Sequence, residues 1–241
     1  KINSWVAQET ENHIQELLSE NDLDAARMVL TNAIYFKGMW EDEFDKNATG
    51  KQPFYITPDS SIITDFMRKK DTYQYFENEQ MQVLEIPYKG NMFSIMFVLP
   101  VKRGKLPEIE KQLTNDQYLT WCENLNEKEL MAQIPKFKFN DKHDLGKKLI
   151  EMGMKEAFSK NADFSGMDGT DALYIGKVKH QAFVEVNEEG TEATGATAVV
   201  MREKSAQMRP LRFRADHPFL FFIKEKETNN ILFMGRVYNP E

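Results

Sequence analysis

The sequence lacks the features on which many enzymes and metal proteins depend. It has a single cysteine, Cys122, so it can form neither an internal disulfide nor a multi-thiolate metal site. Its four histidines form no HExxH motif and no closely spaced pair of the kind that binds metals. It also has no GxSxG elbow, P-loop or GxGxxG motif. The sequence therefore predicts no metal and no cofactor. No motif points to a catalytic site, although a Ser/His/Asp triad brought together only by the fold stays open.

Excess basic charge and long apolar runs are also missing. The 31 basic side chains are outnumbered by 38 acidic ones, for a formal net charge of −7. This balance disfavours nucleic acid as the main partner. The longest apolar run, near residues 218–223, suits a buried strand and is too short to cross a membrane. We therefore expect no nucleic-acid partner and no membrane partner.

The hydrophobic pattern that is present predicts a mixed α+β chain with no dividing linker. Apolar residues at helical spacing predict helices over residues 2–19, 106–125 and 144–154. Branched and aromatic residues predict strands over residues 28–40, 131–139, 172–186, 213–223 and 231–238. Lys89-Gly90-Asn91 predicts a hairpin. Residues 28–40 are apolar on both parities, which predicts burial on both faces.

Three short features carry weaker predictions. Residues 161–166 resemble the start of a calcium loop, but its twelfth position is Ala172 rather than Glu, so an ordinary turn is favoured. His180 lies on an otherwise apolar strand, where a structural histidine is more common than a catalyst. Asn47-Ala48-Thr49 is an N-glycosylation sequon and favours secretion only slightly.

A long polar segment over residues 187–210 separates two strand-like regions, and loops of this length tend to be functional or disordered. The residues of one parity are small or branched and uncharged: Thr191, Ala193, Gly195, Thr197 and Val199. The charge of Glu192 falls on the other parity. Because side chains alternate along a strand, this loop could form a strand with one uncharged face. A flexible tether rich in Ala, Thr and Gly explains the pattern equally well.

Several blocks of the sequence resemble the serpin family. Residues 183–193 resemble the start of the serpin hinge, and residues 213–223 resemble the signature after the reactive loop. Further blocks follow in serpin order at residues 30–40, 134–138, 152–158, 162–166 and 232–237. The resemblance implies the α+β serpin fold, with three mixed β-sheets, surrounding helices and an exposed reactive-centre loop at about 187–210. It also implies that residues 1–241 are the C-terminal two-thirds of one serpin domain, to be completed by an N-terminal serpin segment.

The resemblance implies a function as well, namely a suicide substrate that traps serine proteases and is not an enzyme. The hinge that it implies consists of Glu188, Gly190, Thr191, Glu192, Ala193, Thr194, Gly195, Ala196 and Thr197. Counting along the loop as in serpins places the reactive bond at Lys204–Ser205, with Arg202 as a second candidate. A lysine there implies a trypsin-like serine protease as the partner.

The same resemblance implies structural control points and leaves an alternative function open. It places His180 and Asn32 in the shutter of the large sheet, joined by a hydrogen bond, and Trp40 at the breach. A non-inhibitory serpin, such as a carrier or chaperone, is the alternative, although the small, uncharged hinge favours inhibition. We expect an extracellular protein glycosylated at Asn47, while an intracellular location stays open. The sequence assigns no glycosaminoglycan partner.

Overall fold

The computed structural model describes residues 1–23, 27–191 and 211–241, which form two compact units. The first unit contains residues 1–36 and 139–184, and the second contains residues 37–138 and 185–241. The predicted reactive bond Lys204–Ser205, the alternative Arg202 and the later hinge lie outside the described residues. These later hinge residues are Glu192, Ala193, Thr194, Gly195, Ala196 and Thr197.

Helices and strands alternate along the described chain, which confirms the α+β class. The helices are α1 (Ile2–Glu9), α2 (Leu106–Gln112), α3 (Asn115–Glu123), α4 (Gly146–Glu151) and α5 (Ser165–Asp168). The strands are β1 (Met28–Tyr35), β2 (Gly38–Met39), β3 (Gly50–Thr57), β4 (Ser60–Glu77), β5 (Met81–Pro87), β6 (Phe93–Pro100), β7 (Asn126–Pro135), β8 (Phe137–Asp144), β9 (Ile175–Val186), β10 (Gly190–Thr191), β11 (Arg212–Arg214), β12 (Phe219–Glu225) and β13 (Ile231–Val237).

The sheet of the first unit has the strand order β1-β9-β8. Strands β1 and β9 are parallel, and their register runs from Met28 opposite Ile175 to Tyr35 opposite Phe183. The prediction that residues 28–40 are buried on both faces is wrong, since every residue of β1 is partly or largely exposed. The reason is that β1 is an edge strand in the described part of the chain, and its neighbours cover it only in part.

The predicted helix over residues 2–19 is also wrong in length, because α1 ends at Glu9. Glu11 and Asn12 adopt left-handed backbone angles, with φ of 48° and 66°, which stops the helix. The Asn3 side chain then accepts hydrogen bonds from the backbone N–H groups of residues 17 and 18, at 3.1 and 2.9 Å, and holds the returning segment. The apolar residues are buried through this turn, in a cluster of Val6, Ile14, Leu17 and Phe183.

The second unit is built on one large sheet with the order β11-β7-β4-β5-β6-β12-β13, in which β3 also pairs with β4. Strands β5 and β6 form the hairpin predicted at Lys89-Gly90-Asn91, where Gly90 and Asn91 take positive φ values of 83° and 55°. Helices α2 and α3 contribute to a core cluster with β5, β6 and β12. A second, two-stranded sheet in this unit joins β10 to β2.

Other predicted elements form but are interrupted. Thr114 accepts a hydrogen bond from the backbone N–H of Gln117 and starts α3, so the predicted helix over residues 106–125 becomes α2 and α3. The helix predicted over residues 144–154 stops before Gly153, whose φ is 111°. Residues 215–218 separate β11 from β12 within the strand predicted over residues 213–223.

Candidate functional site

The start of the predicted hinge is a tight reversal of the chain after β9. The backbone N–H of Asn187 donates to Gly190 O at 2.9 Å, and the Gly190 N–H donates back to Asn187 O at 3.3 Å. Strand β10 then pairs antiparallel with β2, with Gly190 opposite Met39 and Thr191 opposite Gly38. The predicted hinge therefore begins with a short strand, β10, that pairs antiparallel with β2.

Gly190 has no room for a side chain at this crossing. An ideal Cβ on Gly190 would lie 2.1 Å from Gly38 O, 2.6 Å from Met39 Cα and 2.8 Å from Trp40 N. Its φ of 141° is also a conformation that residues with a side chain rarely adopt. Glycine is thus required here both by close backbone approach and by backbone conformation.

Trp40, predicted at the breach, packs against this reversal. Its side chain is only 1% exposed, its indole Nε1–H donates to Asn187 O at 2.8 Å, and its backbone N–H donates to Glu189 O at 2.9 Å. The ring stacks on Tyr88, with 4.9 Å between centroids and an interplanar angle of 5°. Trp40 therefore holds the chain reversal at residues 187–190 through two hydrogen bonds and a stacked, buried ring.

Glu188 is buried at the hinge and is held by two partners. The Thr49 hydroxyl donates to Glu188 Oε1 at 2.7 Å, and Lys136 Nζ lies 3.0 Å from Oε2. Burial acts to raise the pKa of Glu188, but the hydrogen bonds from Thr49, Lys136 and the backbone, together with the charge of Lys136, outweigh it and hold the pKa below its usual range. The neighbouring Glu189 forms an ion pair with Lys46. The carboxylate of Glu188 is thus charged and anchors the chain at the reversal.

The sequon Asn47-Ala48-Thr49 lies beside Glu188 and contacts it through Thr49. Asn47 is exposed, and its side-chain amide donates to Asp45 Oδ1 at 3.0 Å. Thr49 has a structural contact of its own, the hydrogen bond to Glu188. That contact gives a physical reason for a threonine at this position whether or not Asn47 carries a glycan.

The predicted shutter pair lies in the first unit, on the two parallel strands. Asn32 on β1 stands opposite His180 on β9, and His180 Nδ1 lies 2.8 Å from Asn32 Oδ1. The expected hydrogen bond is therefore present. Burial, assisted by the nearby charge of His143, lowers the pKa of His180. Because Asn32 Oδ1 is an acceptor, a neutral imidazole makes this bond with its proton on Nδ1.

A second tie on β9 was not predicted. Asp22 lies 2.8 Å from Lys179 Nζ and 3.3 Å from Lys177 Nζ, and it accepts hydrogen bonds from the Ser19 backbone and hydroxyl. The bond from Lys179 contributes most to holding the pKa of Asp22 well below its usual range. Lys179 also pairs with Asp144 at 3.1 Å. This ionic cluster, of which only Asp22 is buried, holds the first half of β9 within the first unit.

A third polar network surrounds His217, within the segment that resembles the serpin signature. Its Nδ1 lies 2.8 Å from Asp216 Oδ1, and its Nε2 lies 2.8 Å from Pro100 O. Arg103 donates to Asp216 Oδ2 at 3.0 Å and stacks over Tyr55. Burial acts to raise the pKa of Asp216, but His217 and Arg103 outweigh it and lower it. These contacts indicate a structural role, since they join the segment after β11 to Pro100 and Arg103.

The remaining candidates give no site. The Asp163 carboxylate accepts from the Ser165 backbone and hydroxyl at 3.0 and 2.7 Å, as in an ordinary Asx turn. Within residues 1–23, 27–191 and 211–241, no group of three or more His, Cys, Asp or Glu side chains is arranged to hold a metal. In the same ranges, no helix has the length and apolar character needed to span a membrane.

Comparisons with known proteins agree on one family. The family model described as "Serpin (serine protease inhibitor)" matches residues 1–240. Serpin B6 of Pongo abelii is 42% identical over 99% of this chain. The chain spans 65% of that relative's length.

Solved structures give the same result for the fold. Serpin48, described as a highly specific serpin of the insect Tenebrio molitor, superposes with a TM-score of 0.87 at 32% identity, over 100% of this chain and 64% of its own. Human thyroxine-binding globulin, complexed with thyroxine, gives a TM-score of 0.89 at 29% identity, over 99% of this chain and 63% of its own.

Proposed function

The chain belongs to the serpin family, and from that membership we propose that it inhibits trypsin-like serine proteases as a suicide substrate. The protease serine attacks the carbonyl carbon of Lys204, and the Lys204–Ser205 peptide bond breaks. Ser205 leaves as a free amine that takes up a proton, and Lys204 remains as an ester on the protease. The cleaved loop then inserts between β1 and β9, and deacylation by water is prevented.

The observation that carries this proposal is the direction of the chain at the hinge. Strands β1 and β9 are parallel, while Gly190 and Thr191 already run antiparallel to β2, which follows β1. A loop that ran back alongside β9 after the reversal at Asn187–Gly190 would pair antiparallel with both β1 and β9. Insertion would exchange one parallel ladder for two antiparallel ladders, which are somewhat more stable per residue. The alternate residues that begin at Thr191 are uncharged, and this pattern also supports insertion of the loop.

The protease class follows from the chemistry of Lys204. Its ammonium group would pair with the acidic specificity pocket of a trypsin-like protease. Arg202, two residues earlier, would satisfy the same pocket and is the alternative reactive residue. No glycosaminoglycan partner forms part of this proposal.

We also propose an extracellular protein with a glycan at Asn47, and an N-terminal serpin segment as the partner that completes the fold. The exposure of Asn47 supports the glycan. An intracellular serpin is the alternative location. Mass measurement before and after enzymatic removal of N-glycans from the natural protein separates the two.

The proposed function predicts a covalent complex. We expect the full natural protein, incubated with trypsin, to give a band on a denaturing gel at the summed mass of protease and cleaved inhibitor. Lys204→Ala should abolish this band, because the protease loses its ammonium contact. Arg202→Ala is the matched control and should keep it.

Two outcomes would contradict the proposal in different ways. Loss of the band with Arg202→Ala but not with Lys204→Ala would move the reactive bond to Arg202. Complete loop cleavage without any complex would indicate a non-inhibitory serpin. The similarity to thyroxine-binding globulin makes a carrier the alternative to consider in that case.

A further inference from the structure

Four basic residues stand in a regular arrangement on the outer face of strands β4, β7 and β11. In one cross-strand row, Lys70 and Arg212 flank Met131. In the next row, Arg68 and Arg214 flank Gln133. We call the four basic residues, Arg68, Lys70, Arg212 and Arg214, the basic grid.

The alternation of the strands explains why these side chains share a face. On β7 and β11 the intervening residues Ala132 and Phe213 are fully buried on the opposite face, which is the core of the second unit. On β4 the intervening residue is the partly exposed Lys69, which pairs with Asp71 at 2.8 Å. Adjacent strands are about 4.8 Å apart and alternate residues about 6.8 Å apart, so the grid measures about 10 by 7 Å between backbone positions. The grid residues Arg68, Lys70 and Arg212 line a cleft of about 390 Å³.

The four positive charges of the basic grid are only partly balanced by acidic side chains of the described residues. Lys70 pairs with Glu129 at 2.9 Å, but both side chains are more than half exposed, and such surface pairs hold little energy. Arg68 donates to the backbone oxygen of Ala48 at 3.0 Å. Arg214 lies 3.6 Å from Asp216, whose carboxylate Arg103 also contacts. For Arg212, the described residues supply no acidic partner. The grid is thus a net positive surface on a chain that is acidic overall.

We propose that the basic grid is an exosite for an acidic surface of the attacked protease. This rests on the proposed function, since the grid lies close in sequence to the reactive bond. Arg212 follows Lys204 by 8 residues, 212 − 204, and 8 residues reach at most about 29 Å when fully extended. A protease of about 230 residues has a radius of gyration of about 17 Å, so its body covers surfaces at that distance from its active site.

The composition of the grid favours a folded protein over a flexible polyanion. Its centre holds the partly exposed Met131 and the amide of Gln133, and methionine and arginine are both enriched in protein interfaces. The arginine guanidinium groups suit paired hydrogen bonds to carboxylates. The patch is compact and has Glu129 at its edge, whereas a sulfated polysaccharide binds best to an extended positive stripe.

The test compares two trypsins that share an active site and differ in net surface charge, the anionic and cationic forms. The grid variant is Arg68→Gln/Lys70→Gln/Arg212→Gln in the full natural protein. The readout is the rate of loop consumption, the sum of covalent complex and cleaved product. With anionic trypsin at about 10 mM salt, where the Debye length is about 30 Å, we expect this rate to fall about 10-fold, within the range of electrostatic steering. The difference should vanish near 1 M salt, and the rate with cationic trypsin should not fall.

A matched control removes the same charge elsewhere. Lys147→Gln/Lys148→Gln/Lys155→Gln changes three exposed lysines of the first unit and should leave all these rates unchanged. Equal rates for the grid variant and the unmodified protein with anionic trypsin would overturn the exosite. An effect of the grid that appears only when heparin is added would also overturn it, in favour of a polyanion.

The same measurements separate this inference from the proposed function. Loop consumption reports how the protease associates even if trapping fails. Cleaved product without complex, together with a 10-fold slower grid variant, would reject inhibition and keep the docking surface. Normal complex formation at an unchanged rate would keep inhibition and reject the docking surface.

Discussion

Replacing Thr191 with arginine is expected to convert the inhibitor into a simple substrate. Thr191 is the first residue of the uncharged parity, so its side chain would be buried if the loop inserted. A guanidinium buried without a partner costs several kcal/mol, which would slow insertion until deacylation releases the protease. We expect the number of inhibitor molecules consumed per protease to rise at least about 10-fold, while the rate of loop cleavage stays unchanged.

The matched control is Glu192→Arg, one position later and on the opposite parity. Its side chain would face solvent after insertion, so this variant should still trap the protease with near-normal stoichiometry. Titration of a fixed amount of trypsin with each variant measures the difference. Equal loss of trapping in both variants would contradict the alternation on which the insertion model depends.

Replacing Gly190 with alanine is expected to lower the free energy of unfolding by about 3 kcal/mol or more. The new Cβ would meet Gly38 O at 2.1 Å and Met39 Cα at 2.6 Å, and both are backbone atoms that cannot move aside as a side chain can. The φ of 141° adds strain for any residue with a Cβ. Urea unfolding of the full natural protein, followed by tryptophan fluorescence, measures the change.

Gly50→Ala is the matched control in the same unit. Gly50 begins β3, and an added Cβ there would meet nothing within 4 Å. Alanine also reduces the freedom of the unfolded chain, so this variant should be neutral or slightly more stable. Similar unfolding midpoints for the two variants would show that the crossing of Gly190 over Gly38 is not a tight constraint.

The sequence predicted local structure well where one short motif decides it. Lys89-Gly90-Asn91 predicted the β5–β6 hairpin because glycine and asparagine tolerate the positive φ that the turn requires. The prediction of one helix over residues 2–19 was wrong, because the spacing of apolar residues does not show where the chain turns back. The left-handed residues Glu11 and Asn12 end α1, and the bonds of Asn3 return the chain.

In the candidate site, too, some contacts were predicted from the sequence and others were not. The resemblance to serpins named Asn32, His180 and Trp40, and the structure confirms the one contact predicted among them, the hydrogen bond between His180 and Asn32. The hydrogen bond from Trp40 to Asn187 was not predicted, and the shutter and breach roles stay predictions. The resemblance did not reveal the partners of Glu188, because Thr49 and Lys136 lie 139 and 52 residues away in the chain (188 − 49 and 188 − 136). Such distant pairs leave no periodic signal in one sequence. The sequence shows only that Glu188 stands two residues before Gly190, which reveals neither its burial nor its partners.

The central claim, that β1 and β9 must separate to admit the loop, is tested most directly by locking them together. Ile34 on β1 and Ala182 on β9 stand opposite each other, and adjacent strands are close enough for a disulfide. We would introduce Ile34→Cys/Ala182→Cys with Cys122→Ser, so that no other thiol competes.

The measurement is the amount of covalent trypsin complex formed by the oxidised and reduced forms of this one variant. We expect the oxidised form to be cleaved at the loop without trapping the protease, and reduction to restore the complex. Equal complex formation by both forms, with the disulfide verified by mass, would contradict strand separation and the inhibitory mechanism built on it.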